Sequence, residues 1–116
     1  MARNHSIDIG ILTILSGNTE SEPLKMNQMP LRGVTVFSPA ALDGLVTIEV
    51  SGDFAEAVPT WQKLQSGGSN VEVGAVQAVP LDYVGWDAFR LSSDTPETAD
   101  RAFRLKGVED LQGGFA

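Results

Sequence analysis

Few residues in this chain have types able to do chemistry, and their spacing is sparse. Cysteine is absent, which removes disulfides, thiolate zinc sites and cysteine nucleophiles. The one histidine is His5. A serine–histidine–acid relay would have to recruit it from the N-terminal end, and one imidazole cannot build a multi-histidine metal site. The plainer reading is a solvated terminal side chain. Asp94, Glu97 and Asp100 form the densest acidic run, interleaved with Ser92, Ser93, Thr95 and Thr98. Oxygen ligands on a flexible loop can hold calcium, but this run lacks the glycine-hinged alternation of an EF-hand loop. It reads as a solvated acidic loop, paired to Arg90 or Arg101. Glu49, Asp53, Glu56 and Glu72 could supply a carboxylate pair for glycoside hydrolysis, yet no sequence context marks any of them. Gly67-Gly68-Ser69 lacks a phosphate-loop frame and reads as a hairpin turn. Trp61, Tyr83 and Trp86 could stack on a sugar ring. Of these, Trp61 beside Leu64 looks core-directed, and Trp86 after Gly85 is the better candidate for an exposed contact. The set contains no catalytic constellation. The expectation is a chain without enzymatic activity, cofactor or metal.

The composition narrows the class. The chain has 116 residues, with 8 Lys+Arg against 15 Asp+Glu, a net charge of −7, and 42% hydrophobic residues. That is a globular composition for one domain spanning residues 1–116. No basic patch is present to neutralise phosphates, so no nucleic-acid partner is expected. The longest nearly apolar stretch, Ile7 to Leu15, falls short of the roughly 20 residues a membrane helix needs. Asp8 interrupts it, so it does not read as a secretory leader, and no membrane association is expected.

The elements that would position these residues are strands. Ser6 to Leu15 alternates through Ile7, Ile9 and Ile11, with a bulge or bend at Gly10. Glu20 to Arg32 is a connector in which Pro23 and Pro30 bracket Leu24, Met26 and Met29. It either covers the domain's own core or packs on a neighbour. Gly33 to Phe37 is a short β-branched strand, and Ser38 to Gly44 has the signals of one helical turn. Leu45 to Val50 alternates cleanly, with Val46, Ile48 and Val50 on one face. A strand carrying a buried Trp61, the turn at Gly67-Gly68, and two short strands ended by Pro80 follow. Ala88 to Ser92 and Arg101 to Val108 alternate again, and the tail from about residue 109 to 116 is expected to be loose. Seven or eight short antiparallel strands at this spacing predict an all-β two-sheet sandwich or a barrel with a short N-terminal arm, and a jelly-roll-like sandwich is the architecture expected.

The order Phe37-Ser38-Pro39-Ala40-Ala41-Leu42, then Trp61 to Val71 with its Gly-rich hairpin, Ala75 to Leu81, Phe89-Arg90-Leu91-Ser92-Ser93 and Asp100 to Gly107 resembles small virion proteins of tailed bacteriophages. The resemblance runs from about Ser16 to Gly107 and carries no catalytic motif. It implies a β-sandwich structural subunit, most simply a capsid decoration (cement) protein. Such a subunit would be made in the bacterial cytoplasm and would lie on the capsid surface of the virion. Its partners would be the major capsid protein or other virion subunits, and it would itself form a dimer or trimer. Apolar anchors rimmed by charge serve such contacts. The candidate intersubunit residues are Leu24, Met26, Met29, Leu31 and Trp86, with the N-terminal strand alongside them. The alternative function is a carbohydrate-binding sandwich module that uses Trp86 and Tyr83.

Overall fold

A computed structural model describes residues 6–26, 31–82 and 85–109. Among them there is no helix, and every strand pairing is antiparallel. The expected helical turn at Ser38 to Gly44 is an irregular loop instead.

One sheet is formed by β1 (Ser6–Ile14), β11 (Arg101–Glu109), β3 (Leu31–Phe37) and β9 (Ala78–Asp82), in that order. The second runs β2 (Leu24–Lys25), β10 (Ala88–Ser93), β4 (Val46–Ser51), β5 (Gln62–Lys63), with β8 (Glu72–Val73) also pairing with β4. A hairpin of β6 (Gln65–Ser66) and β7 (Ser69–Asn70) completes the eleven strand segments, more than the seven or eight expected because five of them are two residues long. β5 and β8 lie along successive halves of β4, at Glu49–Val50 and Val46–Thr47. The hairpin is extruded between them. Gly67 and Gly68 turn it at φ 63° and 86°, a two-residue turn that demands the left-handed region at both positions.

β1 explains how a run of isoleucines is divided between two faces. Its register against β11 slips between Asp8 and Gly10, where Gly10 holds φ 132°. One extra residue inverts a period of two. Ile7 and Ile9 pack on the core before the bulge, and Leu12 and Ile14 are buried after it. The bulge expected at Gly10 thus turns Ile11 to the outer face, where it is 53% exposed. Pro80 also departs from expectation. It sits inside β9 opposite Thr35, which an edge strand permits because the missing N–H faces away from the sheet.

Both sheets feed one cluster. Leu12, Ile14, Val34, Val36, Leu81, Phe103 and Leu105 come from the first, and Val46, Ile48, Val73, Phe89 and Leu91 from the second. Each fully buried Phe or Leu contributes about 1.5–3 kcal/mol relative to exposure. The alternation expected in Arg101 to Val108 holds: Phe103, Leu105 and Gly107 are buried, while Ala102 and Arg104 are exposed. Gly107 fits there without disturbance, whereas a Cβ would stand 2.9 Å from Leu31 Cδ2 and force that side chain to shift.

Candidate functional surface

At one end of the molecule the β3–β4 and β10–β11 loops are clasped together. Glu97 is 1% exposed, a correction to the solvated loop expected there, while the pairing to Arg101 expected with it is present. Its Oε1 accepts from the Asp43 N–H (2.9 Å) and Arg101 Nε (2.9 Å), and its Oε2 from the Gly44 N–H (3.0 Å) and Ser93 Oγ (2.8 Å). Asp43 Oδ2 accepts from the Thr98 N–H (2.7 Å), Thr98 Oγ1 (2.8 Å) and Arg101 Nη2 (3.1 Å). The β1–β2 turn joins through Gly17 N–H to Glu97 O (2.7 Å) and Ser16 N–H to Asp100 Oδ1 (2.8 Å).

The electrostatics follow from these donors. The Thr98 N–H and hydroxyl, then Arg101, lower the Asp43 carboxyl to about 2. Burial pushes Glu97 up, but the Asp43 N–H, the Ser93 hydroxyl, the Gly44 N–H and Arg101 together hold it below its ordinary value. Hydrogen bonds to Glu97 and then Asp43 raise the Arg101 guanidinium. Both Glu97 oxygens are therefore engaged by fixed donors, which makes the clasp a structural device. Among the described residues no group of three or more His, Asp or Glu stands together as a metal-ligand set.

The acids weighed for glycoside chemistry sit in separate surroundings. Glu49 is held between Arg90 Nε (2.8 Å) and Lys63 Nζ (3.3 Å). Asp53 is lowered by the Thr60 N–H and the Ser51 hydroxyl, and Glu56 and Glu72 are exposed. His5 and Tyr83 lie outside the described residues.

The two tryptophans exchange their expected places. Trp86 is 7% exposed and packs edge-on against Phe89, with centroids 5.5 Å apart. Enclosed in this way, it leaves no ring face open for a sugar or a neighbour to stack on. Trp61, expected to be buried, is only half-buried on the outer face of the second sheet. The Arg90 guanidinium lies 4.4 Å over its ring and Phe54 meets it edge-on at 5.8 Å.

The other candidate intersubunit residues mostly turn inward. Met26 is fully buried, its N–H bonded to Asp87 O (2.7 Å), and Leu31 is 5% exposed over Gly107. Within this chain they cover its own core and leave no surface for a neighbour. Leu24 is half-buried beside the same cluster, and Met29 lies outside the described residues.

Surface-exposed apolar side chains gather elsewhere. On the outer face of the first sheet, Ile11, Arg104, Phe37 and Ala78 stand in one register row, with Phe37 40% exposed. Phe37, Ser38, Ala102, Arg104 and Lys106 line a shallow hollow of about 390 Å³ there. Sequence reasoning missed this row because it is assembled by the register of strands far apart in sequence. No family model matches the chain, and no curated protein and no solved structure matches it either.

Proposed function

We propose that this chain is a non-enzymatic structural subunit of a tailed-phage virion, a decoration (cement) protein of jelly-roll architecture that binds the major capsid protein of the assembled head. The observation that carries the reading is the strand order. If β5 and β8 are counted as one interrupted strand, the two sheets read β1-β11-β3-β9 and β2-β10-β4-β5/β8, and six of the seven connections pass from one sheet to the other. Eight strands divided between two sheets in this way suit a double-sheet jelly roll, an architecture that viral capsid domains use alongside lectin domains and cupins. The Ile11–Arg104–Phe37 row supports the docking part of the reading. It is an apolar strip with a cation at its centre in a chain of net charge −7, suited to an acidic and partly apolar shell surface.

A protein that binds only the assembled shell stabilises it by mass action, about 2.7 kcal/mol per site at a hundredfold excess over Kd. The test is add-back. Heads assembled without the chain are heated with and without the purified protein. The proposal expects the temperature of genome release to rise with added protein until sites saturate, and Phe37→Asp to abolish the rise. No shift at saturating protein counts against it.

A further inference from the structure

We propose that β1 is the edge through which two copies of this chain join, antiparallel, about a two-fold axis at Leu12. Unpaired strand edges invite another strand, and proteins guard them with proline, charge, short length or bulges. Three of the sheet edges here are guarded. β9 carries Pro80 at its centre, β2 is two residues long, and the β5/β8 edge is broken by the extruded hairpin. β1 is guarded only over its first part, by the bulge and by Asp8, which is paired to the chain's own Lys106 at 3.4 Å; from Gly10 to Ile14 it carries neither proline nor charge. It also carries the exposed Ile11, and Leu15, 51% exposed, follows it directly.

The hydrogen-bonding phase fixes the register. The Thr13 N–H points away from β11 and donates to Glu22 Oε1 at 3.3 Å. Because N–H direction alternates along a strand, the Ile11 N–H points outward as well. Pairing Ile11 with Thr13 of a second copy, and Thr13 with its Ile11, brings outward N–H and C=O groups of both strands into register. Such an interface is isologous and closes at two copies. It sets Ile14 opposite Gly10, and no charged residue lies within the paired segment, residues 10–14. The joined sheets would run β9-β3-β11-β1-β1-β11-β3-β9, and the exposed Ile11–Arg104–Phe37 rows of the two copies would share one outer face. The bulge confines regular pairing to Gly10–Ile14, about 17 Å of strand. The dimer is therefore concentration-dependent, and Glu22 competes for one of its amides.

Sedimentation equilibrium of the full chain, together with amide exchange, tests this without any shell. The expected result is a mass that rises toward twice that of the chain with concentration, and Ile11 and Thr13 amides that slow in step. Ile11→Lys and Thr13→Pro should each weaken association at least tenfold with an unchanged far-ultraviolet spectrum. If Thr13→Pro impairs folding, Ile11→Lys at its exposed site decides. Glu22→Ala should tighten association about threefold. A chain that stays monomeric up to about 1 mM, or variants that associate like the wild type, would overturn the proposal. Neither outcome touches the decoration reading, and absence from virions would not touch this one.

Discussion

Glu97→Gln isolates the clasp, because it keeps the side chain's shape and removes its charge. Glu97 receives four donors, two on each oxygen. A glutamine can keep the Asp43 N–H and Arg101 Nε on its carbonyl oxygen, but its amide nitrogen then faces the Gly44 N–H and the Ser93 hydroxyl. The hydroxyl can turn, whereas the Gly44 N–H loses its acceptor, at a cost of about 1–3 kcal/mol. The bonds that remain lose their charge assistance, worth roughly another 1–2 kcal/mol. Arg101 keeps Asp43 at 3.1 Å, which places the total at about 3 kcal/mol, the low end for breaking a buried pair. For a domain of this size that is a fall in Tm of about 12 °C. The assay is chemical and thermal denaturation at pH 7, repeated toward acid. The native carboxyls of Glu97 and Asp43 lie below their ordinary values. Their stabilisation is thus complete above the ordinary carboxylate range and is lost as pH falls through the native values. Wild-type stability should drop below about pH 4, and the variant should show a shallower slope there. A loss under about 1 kcal/mol with an unchanged pH slope would refute the clasp as described.

Met26→Asp buries a carboxylate at a fully enclosed site and should cost more than about 4 kcal/mol, giving an unfolded product. A folded protein by circular dichroism would contradict the placement of Met26. Gly44→Ala puts a Cβ 2.3 Å from Ser93 Oγ and 2.6 Å from Asp94 Oδ1, so about 2 kcal/mol should be lost on urea denaturation. Trp61→Ala removes the Arg90 stacking and the Phe54 edge contact. The loss should be about 1–2 kcal/mol, with a change in the near-ultraviolet spectrum, and a loss above 3 kcal/mol would mean that Trp61 belongs to the core.

Local alternation made much of the fold legible. Phe103 and Leu105 against Ala102 and Arg104, and Val46 and Ile48 in β4, take the faces their spacing predicts. The glycine pair at Gly67-Gly68 reads directly as a hairpin because few other residues accept those dihedrals. Long-range pairing was not legible. Glu97 reads as solvated because its Asp43 N–H donor stands 54 positions earlier. The bulge at Gly10 was legible from the glycine within the isoleucine run, but not that it turns Ile11 outward. Trp61 and Trp86 trade places because Leu64 and Gly85, their sequence neighbours, say nothing of which strand lies at a sheet edge. Met26 sits in a connector without periodicity, where burial in its own core is the favoured reading and contact with a neighbour the alternative, and it is fully buried. The outer-face row of Ile11, Arg104 and Phe37 draws on three strands and exists only in register.

Quantitative mass spectrometry of purified phage particles that encode this chain tests the central claim most directly. A decoration subunit should be present in many copies, at a fixed ratio to the major capsid protein that survives repeated particle purification. Complete particles lacking the chain, or holding only traces that wash away, would contradict it.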